Sequence, residues 1–504
     1  MLINSLINRF NSKRLKEIKK FRYHPVEVQT ECLQKLLRSA QNTEYGREFD
    51  FSSINSVEQF RERLPVQTYE DVKFRISRVM RGEENVLWPG GVKWFAKSSG
   101  TTSDKSKYIP ITPESLQNCH LRGGKDALMF YLNSNPKSAI LKGKALTIGG
   151  SHQVNSLNKK SCFGDLSAIL MENQPIWVKF IRTPTNRIAM LGDWEEKIEK
   201  IYRTAVNKNV TNLVGVPSWN LVFLKYVLQR TGKPNLLEIW PNLELFFHGG
   251  VSFKPYEGQF KKIIPSEKMK YLETYNASEG FFGVQDRLDS DDMLLMLDYD
   301  VFYEFIPMDE FDGDKPNFLT VGDVRTNTNY AMVISTNSGL WRYILGDTVV
   351  FTSLYPHKIK VTGRTKHFIN AFGEELIIEN AEKGLREAGE KTGSYISDFT
   401  AAPIFMSDTE KGRHEWLIEF DKPPHDMEQF AAELDKALKA INSDYEAKRY
   451  KNITLAPPIV HNAKPGLFYN WLKEKGKLGG QNKVPRLSNT RQYIDELLDM
   501  NKRI

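Results

Sequence analysis

Between residues 91 and 350, short β-forming runs alternate with segments of helical period, and small-residue turns stand where the runs end. This alternation restricts the chain to layered α/β architectures, in which ligands collect at the loops leaving the strands. Residues 92–96, 212–217, 243–247 and 270–275 read as strands, and 220–229 as a helix. The stretch 294–353 is richer in β-type runs, such as 301–306 and 348–352, and reads as a β subdomain. Upstream, residues 25–90 are mostly helical in pattern. Val28, Cys32, Leu33, Leu36 and Leu37 make one apolar stripe, which Phe60, Val72 and Ile76 continue.

The tail has a different rhythm. A helix is expected at 375–389, strands at 398–406 and 415–420, a helix at 427–441 and a last strand at Ile459 and Val460. With a short strand around 366–371 this makes β-α-β-β-α-β, a small α+β unit. At 504 residues the chain exceeds one ordinary core. The expected division is therefore a large N-terminal unit, 1–362, and a small C-terminal one, 363–504.

Several classes are disfavoured. No run of eighteen apolar residues occurs, so an integral membrane protein is not expected. Near the N-terminus, Leu2, Ile3, Leu6, Ile7 and Phe10 recur at helical spacing ahead of a basic stretch. That order is the reverse of a signal peptide and reads as a docking helix, with a membrane-surface helix as the alternative. Cys32, Cys119 and Cys162 are widely spaced and odd in number, which points away from disulfides and zinc and toward a cytoplasmic location. The formal charge of +8 is mild for this length, and no nucleic-acid motif accompanies it.

Five segments carry potential chemistry. Ser98, Ser99, Gly100, Thr101 and Thr102 follow a strand directly, with Lys107 just beyond. Such a loop lets backbone N–H groups and hydroxyls close on phosphate oxygens, and Lys107 adds a cation; a plain polar loop is the alternative. The chain lacks G-x-x-x-x-G-K-[ST] and G-x-G-x-x-G, which disfavours a Walker loop and a nicotinamide site. Tyr275 to Gly280 also follow a strand. Here an aromatic ring can stack on a purine and Glu279 can hold Mg²⁺. At residues 341–347, Asp347 can accept ribose hydroxyls beside Gly346, or can pair structurally with Arg342. Gly363, Arg364, Thr365 and Lys366 read as a hinge beside phosphates or as an ordinary linker. Last, residues 464–504 hold nine Lys/Arg against four Asp/Glu and include Gly479, Gly480 and Lys483. That segment reads as a cationic lid or a solvated basic tail.

Taken in this order, the five segments resemble the adenylate-forming superfamily, and within it the auxin-responsive acyl-acid amido synthetase family. His24-Pro25, Gln29, Thr43-Glu44-Tyr45-Gly46, Leu64-Pro65-Val66, Tyr69-Glu70, Arg81-Gly82-Glu83 and Lys483-Val484-Pro485-Arg486 extend the resemblance over nearly the whole chain. It implies a large adenylate-forming domain of layered α/β sheets and a small, rotating α+β lid. It also implies that ATP and Mg²⁺ activate a small carboxylic acid as its acyl-adenylate. The acyl group then passes to an amine, most simply that of an amino acid, or to a thiol in an acyl-CoA ligase. A non-catalytic nucleotide-binding or membrane-surface scaffold is the alternative of another class.

On matching positions the resemblance puts residues 98–102 around the phosphates, Tyr275 and Ser278 by the nucleotide, and Glu279 on Mg²⁺. Asp347 falls on the ribose, Lys366 at the hinge beside Arg364, and Lys483 at the reacting carboxylate. Asp104, Trp341 and the pair Lys366-His367 depart from the family pattern. Trp219, Phe247, Gly249 and Gly250 stand at strand ends and are candidates for walling the acid's pocket, or are simply core residues.

Overall fold

A computed structural model describes residues 2–99, 106–191, 193–254, 256–311, 313, 315–365, 368–407, 410–450, 455–475 and 484–503. Its centre is one eleven-stranded sheet. Five strands form a parallel half, in spatial order Arg182–Thr183, Lys144–Thr147, Val210–Gly215, Leu245–Gly249 and Lys270–Ala277. The strand Gly280–Val284 turns back antiparallel on Lys270–Ala277 and opens an antiparallel half. This half continues through Met293–Leu295, His357–Arg364, Tyr343–Leu354, Asn329–Thr336 and Val301–Pro307. The β-rich stretch of the sequence thus enters as the second half of the same sheet. The strand Trp94–Ser99 lies apart, in a four-stranded sheet with Ser106–Ile111, Cys162–Gly164 and His152–Val154.

Helices cover both faces because their apolar residues recur at helical spacing. In Pro25–Ala40, residues Val28, Cys32, Leu33, Leu36, Leu37 and Ala40 are buried on one stripe. Gln29 on the same helix is 2% exposed, and its amide closes the end of the antiparallel half. It donates to Leu297 O and Val301 O at 2.8 and 2.9 Å and accepts from Tyr303 N at 2.9 Å. The first helix, Leu2–Tyr23, docks through Ile18 and Phe21. Its cations are drawn onto the domain surface: Arg14 pairs with Asp126 and Asp298, and Arg22 with Asp286. Among the described residues no helix is long and apolar enough to cross a membrane.

The C-terminal unit has a three-stranded sheet. Tyr395–Ile404 and Arg413–Lys422 pair antiparallel, and Ile459–Ala463 lies parallel to the second. The helices Ile378–Thr392 and Met427–Ile441 pack on each other. The short strand expected around 366–371 does not join that sheet. Instead Phe368–Ile369 and Leu376–Ile377 form their own ribbon. The cause lies at Glu374, which is fully buried. Its carboxylate accepts the backbone N–H of Ala371 and Phe372 at 3.3 and 2.7 Å and folds the chain back.

Candidate functional site

The parallel half ends at the strand Lys270–Ala277, and the turn through Ser278 and Glu279 leads into the antiparallel half. A site formed here stands at a switch of sheet direction, with strand ends on one side and a hairpin on the other. That hairpin is Tyr343–Leu354 with His357–Arg364, and its register sets Arg364 opposite Asp347. The Arg364 guanidinium Nε donates to Asp347 Oδ1 at 2.8 Å. Tyr275 sends its hydroxyl from the last strand of the parallel half to Asp347 Oδ2 at 2.7 Å. Each carboxylate oxygen keeps a further lone-pair direction, so Asp347 is fixed in place yet able to accept two more hydroxyls.

This geometry changes the reading of three residues. The Tyr275 ring is 8% exposed and lies edge-on to Phe282 at 5.1 Å, so the residue orients Asp347 and offers little face for stacking on a purine. Arg342 does not pair with Asp347. It pairs instead with the buried Glu304 at 2.9 Å and donates to Leu64 O at 2.8 Å, because strand Asn329–Thr336 lies between its side chain and the cleft-side hairpin edge. Arg364 belongs to a strand end and not to a free linker.

Glu279 is 8% exposed. Burial pushes its carboxyl up to about 7; Lys107 and its own backbone N–H act against that rise, Asp347 reinforces it, and Arg364 opposes it. Burial also works against the Arg364 charge, yet Glu375, Asp347 and Glu279 hold its pKa above the ordinary value. Two cations and two carboxylates therefore share one field. Lys107 arrives by the hairpin of Trp94–Ser99 with Ser106–Ile111, whose register places it across from Ser98. Ser98 and Ser99 close the first of these strands. Gly100, Thr101, Thr102, Lys366 and Lys483 lie outside the described residues.

Around this cluster is a cleft of about 2060 Å³, lined by Lys107, Tyr275, Ser278, Glu279, Asp347 and Arg364 and, from the C-terminal unit, by Asn370, Glu375, Asn489 and Arg491. Of the four residues considered for an acid pocket, Gly250 lines this cleft. The others are turned elsewhere. Side chains alternate along Leu245–Gly249, so Phe247 points to Tyr131 at 6.4 Å on one face, while Phe246 and His248 pack with Phe253 on the other. Gly249 is pressed against its neighbour strand, where a Cβ would fall 2.3 Å from Thr274 O. Trp219 lies under the Lys448 ammonium, 4.0 Å from its ring centre.

Sequence reasoning passed over Glu273, which lines the cleft together with His248. The position of Glu273, two residues before Tyr275 on a strand, was the available signal. Burial and Asp291 push Glu273 up to about 7.

Among the described residues no three His, Cys, Asp or Glu side chains converge as a metal cage. The single buried carboxylate of Glu279 fits a Mg²⁺ whose other ligands are waters and phosphate oxygens. Asp347, held by two donors with acceptor capacity to spare, fits a ribose, and the nearby cations fit phosphates.

The mixed sheet, the smaller unit across the cleft and the acid-and-cation cluster between them belong with the adenylate-forming ligases, which use ATP, as the family and relatives of the chain show. Models of the GH3 family N-terminal, central and C-terminal domains match residues 14–269, 294–364 and 379–492. The chain belongs to the GH3 family. It is similar to an indole-3-acetic acid-amido synthetase, GH3.4 of Arabidopsis thaliana, at 23% identity over 94% of this chain and 91% of the relative. It is also similar to a 4-substituted benzoates-glutamate ligase, GH3.12 of the same plant, at 22% identity over 94% of each chain. Among solved structures, a GH3.15 acyl acid amido synthetase superposes with a TM-score of 0.60 at 18% identity, covering 97% of this chain and 95% of that one.

Proposed function

We propose that the protein joins a small carboxylic acid to the amino group of an amino acid through an acyl-adenylate. In the first half-reaction a carboxylate oxygen attacks the α-phosphorus of ATP, and the bond to pyrophosphate breaks. In the second, the neutral amine nitrogen attacks the acyl carbon, AMP leaves with the bonding electrons and the nitrogen gives up one proton to solvent. Both reactants of the first step are anions, so the site must offset negative charge. Lys107 and Arg364 are the described cations in the cluster, and Lys483 is assigned to the reacting carboxylate. Asp347, oriented by Tyr275 and Arg364, takes the ribose. Residues 98–102 receive the phosphates. Glu279 would hold Mg²⁺, and the ion would neutralise phosphate charge. Rotation of residues 363–504 relative to 1–362 then exchanges pyrophosphate for the acceptor and keeps water from the adenylate.

One observation carries this reading: Asp347 is gripped by Tyr275 and Arg364 beside the buried Glu279 in a single cleft. The amide product is supported by the family and by the relatives named as amido synthetases and as a glutamate ligase.

The test is carboxylate-dependent exchange of labelled pyrophosphate into ATP, across aromatic, fatty and hydroxy acids. Product analysis with amino acids or coenzyme A follows. Exchange with at least one acid and an amide product are expected. Lys483→Ala should slow exchange by roughly 100-fold or more, on the scale of losing one transition-state donor. Near-normal exchange in that variant would remove Lys483 from the mechanism, and a thioester without any amide would select a thiol acceptor.

A further inference from the structure

The helix Ser443–Arg449 of the C-terminal unit presents two cations of opposite circumstance. Arg449 is fully engaged: its guanidinium donates to Asp435 at 2.6 and 2.8 Å and to Leu455 O at 2.7 Å. Its neighbour Lys448 is 8% exposed, yet among the described residues its ammonium makes no hydrogen bond and no ion pair. It rests 4.0 Å above the Trp219 ring, which belongs to the other unit. A buried ammonium with no carboxylate in contact is costly, even where carboxylates act on it from a distance, as Asp444 does here. One helical turn earlier stands Asp444. Its backbone N–H is taken by Asn442 Oδ1 at 2.9 Å, while its carboxylate has no partner among the described residues.

At i and i+4 these two groups share a helix face, where opposite charges ordinarily meet. Here each is the strongest opposite charge acting on the other, yet they stop short of an ion pair, with Lys448 drawn over the indole. Gly373 helps to make the room: it has φ +88°, and a Cβ there would lie 3.2 Å from Lys448 Cε. The result is a cation and an anion on one face that attract each other without contact, at the seam between the two units.

The groups facing this pair come from every element packed there. Asp165 is fixed by accepting the Ser151 N–H at 2.7 Å. Lys197 is spent on Gly149 O at 2.9 Å. Glu374 is committed to His414 at 2.8 Å and to the Ala371 and Phe372 backbone. Lys448 acts most strongly on Asp444, followed by Glu375, Asp165 and Lys97, while Asp444, Asp165, Glu374 and Glu375 all favour the Lys448 charge. The seam also adjoins the reacting cleft: Lys97 immediately precedes Ser98 at the end of its strand, and Glu375 lines the cleft and lies 3.6 Å from Arg364.

We propose that this seam receives the acceptor as a zwitterion, an α-amino acid whose carboxylate faces Lys448 and whose ammonium faces Asp444, beside the Trp219 indole; the ammonium passes a proton to the Asp444 carboxylate before its nitrogen attacks the adenylate. The inference rests on the amide-forming reading and adds to it the group that recognises the acceptor. A simple amine lacks the carboxylate for Lys448, and an acid lacks the ammonium for Asp444. The pair therefore selects for both charges at once, as buried charged partners do when the wrong ligand leaves one of them unpaired.

The experiment compares an amino acid with its own carboxamide as acceptor, in the full-length wild-type enzyme and in Lys448→Gln. Both acceptors attack the same adenylate, so effects on folding, adenylation and domain motion cancel in their ratio. The wild type should favour the amino acid. Lys448→Gln should reduce that preference roughly 10- to 100-fold, the range for a charged hydrogen bond, chiefly through the amino acid's KM. Lys448→Arg should restore part of it. A parallel fall for both acceptors would make Lys448 a structural tie between the units and overturn the proposal. An unchanged preference would overturn it equally. A wild-type enzyme that exchanges pyrophosphate but forms no amide with any amino acid would instead sink the amide reading, before any variant is made.

Discussion

A carboxylic acid that is half protonated near neutral pH changes its charge with small changes of pH, and Glu279 is such a group. Its pKa stands at about 7 in the fold against an ordinary 4.5, because burial disfavours the anion. Between those two values the folded protein binds more protons than the unfolded chain. Stability therefore falls as pH rises through that window and levels off above about pH 7. Glu273, also pushed up to about 7 by burial, adds in the same direction. Glu279→Gln is expected to show a higher Tm than the wild type at pH 8 and a difference that shrinks toward pH 5. Calorimetry over that range checks it, and parallel curves would count against the assignment. The motifs around Glu279 and Asp347 were legible in the sequence because their residue types are distinctive. Their partners were not: Arg364 meets Asp347 through a hairpin register that includes two irregularities, and no local pattern encodes such a register.

Elements with a strong period of their own were legible close to their true bounds. The expected helix at 427–441 is Met427–Ile441, and the strand at 301–306 is Val301–Pro307. Missed strands were of two kinds. Lys144–Thr147 and Cys162–Gly164 are short and make sense only through pairing with distant partners. Asn329–Thr336 alternates weakly, since burial on both faces removes the polar side of the pattern, and Ser106–Ile111 is short and set by its pairing with Trp94–Ser99. The separation of Trp94–Ser99 from the main sheet was equally invisible, as sheet membership is a property of the whole fold. Gly249 shows how tightly two of these elements approach. Gly249→Ala would drive a Cβ to 2.3 Å from Thr274 O, immediately before Tyr275. The neighbouring strands must shift by about an ångström, so the variant is expected to lose roughly 1–3 kcal/mol of stability and to exchange pyrophosphate more slowly even where it remains folded. Thermal melts together with the exchange assay test this; unimpaired exchange would mean that the strand end can move without disturbing Asp347.

At the scale of the molecule, the two units are joined by apolar packing and by a few polar ties. Lys225 Nζ donates to Ser407 O at 2.9 Å, Gln259 donates to Met406 O, and the Tyr256 hydroxyl donates to Ala371 O. If residues 363–504 rotate between half-reactions, these ties favour one arrangement over the other. Lys225→Ala with Gln259→Ala is then expected to shift the balance, so that pyrophosphate exchange and amide formation from preformed adenylate respond unequally. A uniform slowing of both would show that the ties do not discriminate between arrangements. The order of the central sheet has a further consequence, for the chain as it is being made. The strand Met293–Leu295 pairs on one side with Gly280–Val284, already synthesised, and on the other with His357–Arg364, which comes last of all the strands of that sheet. Until the ribosome has released residue 364, the growing sheet carries an open, strongly apolar edge with all of its parallel half behind it. Such an edge is a template for pairing with other chains, so the nascent protein should depend on chaperones most heavily during that interval.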